Sequence, residues 1–75
     1  MENINRTYRV FLTPENKGGF SVVVPTLPGC FTQGETLAEA IENAKEAILL
    51  YSESLEEDGQ SVPDDSRSLE YLLVI

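Results

Sequence analysis

The seven residues Val24-Pro25-Thr26-Leu27-Pro28-Gly29-Cys30 constrain this chain more than any others. Each proline fixes φ near about −65° and removes a backbone donor, so neither fits the middle of a paired strand or a helix. Pro28-Gly29 adds a strong turn signal. A rigid connection must therefore stand here, and the chain on either side must be built around it.

The flanks read as strands. Phe20–Val24 is short and rich in β-branched residues. Before it, Arg6–Thr13 alternates: Tyr8, Val10 and Leu12 share one face, and Thr7, Arg9 and Phe11 the other. Pro14-Glu15-Asn16-Lys17-Gly18-Gly19 breaks the pattern as a hairpin loop. Beyond the rigid connection, Cys30-Phe31-Thr32-Gln33 predicts a short third strand ending at Gly34.

A helix follows. Thr36-x-x-Glu39 is a capping box. Leu37, Ile41, Ala44, Ile48, Tyr51 and Leu55 predict one apolar stripe, widened by Ala40 and Ala47. Gly59 marks its end. Gln60–Ser68 reads as a polar loop, and Leu69–Ile75 as a final strand that is apolar on both faces. The expected fold is α+β in the order β-β-β-α-β. It is a three-stranded antiparallel meander with the last strand parallel to the first through a right-handed crossover. Residues 1–75 are read as a single domain. One helix covers one face of such a sheet and leaves Phe11, Val23, Leu72 and Val74 uncovered, which makes them candidates for an interface between copies.

The composition bounds what such a domain can do. Seventy-five residues support one marginal core, and Cys30, the lone cysteine, allows no internal disulfide. Oligomerisation is the expected source of extra stability, as a dimer or a tetramer. Thirteen acidic residues against five scattered basic ones give a net charge of −8, which argues against direct binding of nucleic acid. The negative field suits a basic partner, and equally it keeps a small protein soluble. No run of about 20 apolar residues suggests a membrane helix. Met1–Asn5 lacks the pattern of a signal peptide, so a cytoplasmic location is expected.

Little in the sequence points to chemistry. There is no histidine, so Cys30 has no base of that kind to activate it, and a packed structural role is expected for it. The serines sit in no nucleophile motif. Glu39, Glu42 and Glu46, then Glu53, Glu56 and Glu57, and finally Asp64-Asp65 are acidic groups that could hold a cation weakly. A solvated helix face explains the glutamates equally well. Gly18-Gly19 precedes no Lys-Ser/Thr and no helix, so it is not a phosphate loop. No catalytic residue, cofactor or metal site is expected.

Two stretches together resemble a known family. Gly18-Gly19-Phe20-Ser21-Val22, followed by Val24-Pro25-x-x-Pro28-Gly29-Cys30, is similar to the hairpin of HicB-like proteins. Gly34-Glu35-Thr36-Leu37-x-Glu39-Ala40 continues the resemblance into the helix. It runs from about Tyr8 to Pro63. The resemblance implies a reduced ribonuclease-H-like fold without its nuclease site. It also implies the antitoxin half of a HicA–HicB type II toxin–antitoxin pair, binding and blocking a small basic mRNA-cleaving toxin. Gly18, Gly19, Pro25, Pro28, Gly29, Cys30, Gly34, Thr36, Glu39 and Ala40 carry the family motif and have mainly backbone and packing reasons to be there. Complete HicB antitoxins add a C-terminal DNA-binding module; this sequence ends at Ile75, so operator binding is not expected of it alone. Two alternatives stay open: an orphan homo-oligomer without a toxin, and a residual metal-dependent nuclease using carboxylates such as Glu15, Glu35 or Glu70.

Overall fold

The fold is given by a computed structural model that describes residues 5–75. Met1–Ile4, where the sequence carries no signal-peptide pattern, lie outside that range. Three strands, β1 (Phe11–Pro14), β2 (Phe20–Val23) and β3 (Phe31–Gly34), form an antiparallel sheet in the order β1-β2-β3. One helix, α1 (Leu37–Glu57), crosses one face and packs mainly on β3, then on β2.

The rigid connection closes as two successive β-turns. The Leu27 N–H donates to the Val24 carbonyl (3.1 Å) across Pro25-Thr26, and the Cys30 N–H donates to the Leu27 carbonyl (2.9 Å) across Pro28-Gly29. Pro28 and Gly29 occupy the central positions of the second turn, and Gly29 adopts φ +81°, the left-handed value a type II turn requires there. The Val24 N–H reaches the Cys30 carbonyl (3.0 Å), which extends the β2–β3 register by one rung. This geometry drives Leu27 inward. It is fully buried with Val24 and Cys30, under Tyr8, Val10, Ala47, Ile48 and Tyr51.

β1 is shorter than the alternation predicts. Continuing the observed register would set Val10 opposite Val24 and Arg9 opposite Pro25, and proline has no N–H to give. The ladder stops there.

The helix starts at Thr36, whose hydroxyl accepts from the Glu39 N–H (3.1 Å), while Glu39 reaches back one residue further than expected, to the Glu35 N–H (2.7 Å). It ends in a Schellman pair: Gln60 N–H to the Leu55 carbonyl (2.9 Å) and Gly59 N–H to the Glu56 carbonyl (3.0 Å). The buried face matches the predicted stripe only in part. Ala40, Ala44 and Ser52 are buried, whereas Leu37 and Ile41 are exposed. The reason is close approach. A Cβ on Gly34 would lie 2.6 Å from the Ala40 Cα, so the helix start sits directly against the end of β3 and alanines fill the remaining space. Val22, Ala40 and Ala44 form this second core cluster, flanked by Val10, Leu12 and Phe20.

The expected fourth strand is corrected. Leu69–Ile75 belongs to no strand and is exposed throughout, so it is not parallel to β1 in this structure. The preceding loop is held elsewhere: the Asp65 N–H donates to the Thr7 carbonyl (2.7 Å), and the Tyr8 hydroxyl donates to the Pro63 carbonyl (2.7 Å). The Asp65 carboxylate accepts from the Arg9 N–H (2.8 Å), the group that Pro25 leaves beside the end of the β1–β2 ladder. The loop is thus tied beside the end of the β1–β2 ladder, and apolar character alone adds no further strand to the sheet.

Candidate functional site

The motif residues fall into two groups in space. Gly18 and Gly19 from the hairpin loop, Gly34 from the end of β3 and Glu39 from the first turn of α1 meet around a groove of about 380 Å³, together with Glu15, Glu35 and Asn43. Asn43 closes one side, its side-chain amide donating to the Gln33 carbonyl (2.7 Å). Thr36 and Ala40 fix the helix start beside it. Pro25, Pro28, Gly29 and Cys30 lie in the turn under the other half of the helix, where the Tyr51 hydroxyl donates to the Pro28 carbonyl (2.7 Å). Burial pushes the Cys30 thiol up, away from the reactive thiolate.

The carboxylates named in the sequence fall in separate places. Glu15, Glu35 and Glu39 line one groove, and Glu70 accepts from the Arg9 guanidinium (3.0 Å) on the other side of the molecule. Among the described residues no three His, Cys, Asp or Glu groups come together in a way that could hold a metal ion. Glu39, Glu42, Glu46, Glu53, Glu56 and Glu57 are all exposed along α1, answered by Lys45, which pairs with Glu42 (3.0 Å), and by Arg6, which pairs with Glu56 (3.6 Å). α1 therefore presents a wet acidic face.

Asp64 and Asp65 have a role the sequence does not signal. The Thr26 hydroxyl donates to Asp65 and, with the Arg9 N–H, holds its carboxyl below the ordinary carboxylate range. The Arg9 guanidinium adds its charge at 3.6 Å. Asp64 is lowered by the Ser66 hydroxyl and then by the Thr7 N–H. The pair is a clamp that pins the loop to the residues just before β1. Its partners are remote in sequence, so only the Asp-Asp dipeptide in a polar loop could have hinted at it.

The sheet face turned away from α1 is bare. Phe11 pairs with Val23, and Val23 with Phe31, so three apolar side chains stand in one cross-strand row at 54%, 47% and 72% exposure. Phe11 and Val23 are the residues expected at an interface. Phe31 is a third member, and the alternation of Phe31-Thr32-Gln33 carries its signal. Leu72 and Val74, the other two interface candidates, are not brought to this row. No helix among the described residues is long and apolar enough to cross a membrane.

Comparison with known proteins adds a relationship. The family model for HicB-like antitoxins of bacterial toxin–antitoxin systems matches residues 8–74. A UPF0150 protein of Thermoplasma acidophilum is 49% identical over 59 residues, covering 79% of this chain and 86% of that protein. A UPF0150 protein of Synechocystis is 43% identical over 68 residues, covering 91% and 86%. A protein of Escherichia coli named Antitoxin HicB is 45% identical over 56 residues, 75% of this chain but 41% of that longer protein.

Proposed function

The chain belongs to the HicB-like antitoxin family, and from that premise we propose that it acts by binding and blocking a small basic mRNA-cleaving toxin of the HicA type, not by catalysis. The observation that carries the reading is the exposed row of glutamates along α1, on a chain of net charge −8. Such a face attracts a basic partner at long range and adds specificity when the two dock. Cys30, buried in the core with its thiol pushed up from the thiolate, supports a packed structural role for that residue. On this reading the fold is a reduced ribonuclease-H-like unit whose last strand, Leu69–Ile75, orders only against a partner, and the protein works in the cytoplasm.

The test is co-expression with a short basic protein encoded beside its gene. Co-purification, with growth rescued from that protein's toxicity, is expected. Failure of both would overturn the reading. A second reading, an orphan homo-oligomer with no toxin, draws on the uncovered sheet row of Phe11, Val23 and Phe31.

A further inference from the structure

Leu49 and Leu50 stand side by side in the middle of α1, 63% and 60% exposed, and neither joins a core cluster. Ala44, Ala47, Ile48 and Tyr51 supply the packed side of this stretch. Residues three and four apart are neighbours on a helix surface. Glu46 therefore lies one turn before both leucines, and Glu53 one turn after both. Leu49 also lines a shallow groove with Arg6 and Tyr8, which leaves Leu50 the more central of the two on the acidic face. A face that only had to be wet would carry polar residues at 49 and 50, as it does at 46 and 53. Solubility accounts for the glutamates and not for the apolar centre between them.

We propose that Leu50 is the anchor of a protein-docking surface, and that its partner is a basic protein presenting an apolar cleft between lysine or arginine side chains. The charge pattern selects this partner. Glu42 is answered by Lys45 (3.0 Å) and Glu56 by Arg6 (3.6 Å). Among the described residues no cation pairs with Glu46 or Glu53, the two that bracket Leu50. Cations of the partner complete that pattern while Leu50 fills the gap between them. An apolar anchor, desolvated inside a polar rim, is where docking energy concentrates. A second copy does not fit, because it sets Glu46 and Glu53 against their own kind. A nucleic acid or an anionic membrane meets the same repulsion.

This surface deepens the toxin-binding reading, on which it rests. It places the contact at the middle of α1 and makes a leucine, not the glutamates, its energetic centre. The glutamates then set the encounter rate and its dependence on salt, and Leu50 sets the lifetime of the complex. The bare row of Phe11, Val23 and Phe31 is on the sheet face turned away from α1, so it takes no part.

Calorimetry with a helical peptide, leucines along one face and lysines on both flanks, tests it without any toxin. The full chain should bind that peptide about tenfold more tightly than a peptide of equal charge with serines in place of the leucines. Leu50→Ser should remove the advantage while circular dichroism and the urea midpoint stay unchanged, as an exposed position allows. Leu50→Met should keep most of it, and Phe31→Ser all of it. Equal affinity for the two peptides would overturn the proposal. So would an advantage that survives Leu50→Ser or vanishes with Phe31→Ser. The toxin reading fails separately, in the co-expression experiment. Once a neighbouring basic protein co-purifies, Leu50→Ser should weaken that pair about tenfold, and an unchanged affinity would also overturn Leu50 as the anchor.

Discussion

Val24–Cys30 and Leu69–Ile75 are both seven-residue segments with apolar side chains, and they end in opposite states. Leu27 in the first is fully buried, while Leu72 in the second is 84% exposed. The second segment is the more apolar of the two, so hydrophobicity does not decide the outcome. Backbone closure does. Two prolines and a glycine preset the dihedrals of the first, and three main-chain hydrogen bonds close it before any side chain is counted. The second has no turn chemistry, joins no ladder and leaves its apolar side chains in solvent.

The largest effect should come from emptying the closed segment. Leu27→Ala removes a fully buried side chain between Val24, Cys30 and the helix, and should lower stability by about 2–5 kcal/mol. Urea unfolding at fixed protein concentration measures it. A loss below about 1 kcal/mol would mean that the turn stands on its backbone alone, and the comparison would fail. Gly34→Ala is next. Its Cβ would press on the Ala40 backbone, 2.6 Å from the Cα, and main chain cannot yield as a flexible side chain does. A loss of about 3 kcal/mol is expected. Near-neutral behaviour would show that α1 can shift off β3 freely.

Legibility in the sequence follows the same division. The turn, the hairpin loop and both helix ends are readable because proline, glycine and a capping threonine act on the backbone within a few residues. The helix face is only partly readable. Periodicity gives Ala44, with Ala40 beside it, but also Leu37 and Ile41, and the approach permitted by Gly34 seats the alanines inside while those two stay exposed. That approach depends on how two elements meet, which no helical period encodes. The Asp65 clamp is invisible for a related reason: it joins Thr26, 39 residues away, to a ladder position that Pro25 leaves open. The uncovered face is half readable. Alternation gives Phe11 and Val23 and could have given Phe31. The final strand is misplaced, because period and composition specify what a strand buries and not where its partner edge lies.

The clamp makes the boundary between the two regions testable by pH. Asp65 has its carboxyl held down in the folded chain, so its contribution is full above the ordinary carboxylate range and is lost as pH falls through the lowered folded value. Stability should therefore decline as the medium is acidified below about pH 4. Asp65→Asn should flatten that decline, with the loss at neutral pH smaller than that of Leu27→Ala. Chemical unfolding from neutral to acid pH gives the slope. An unchanged acid slope in the variant would mean that the other acidic groups account for all of it and that the clamp is incidental. Hydrogen exchange at Arg9 should rise in the same variant, because its amide donates to the Asp65 carboxylate.

The smallest expected effect is the sharpest check on the tail. Leu73 is 76% exposed, so in the monomer Leu73→Ser removes apolar surface that water already wets. Its unfolding free energy at low concentration should move by no more than about 0.5 kcal/mol. On the homo-oligomer reading, the same change at high concentration should lower the unfolding midpoint, because the wild type gains stability from association and the variant does not. A protein of net charge −8 must also overcome self-repulsion to associate, so added salt should widen that gap by screening it. A loss of several kcal/mol at low concentration would place Leu73 in the core of the single chain, and the tail would then be a strand of the monomer after all.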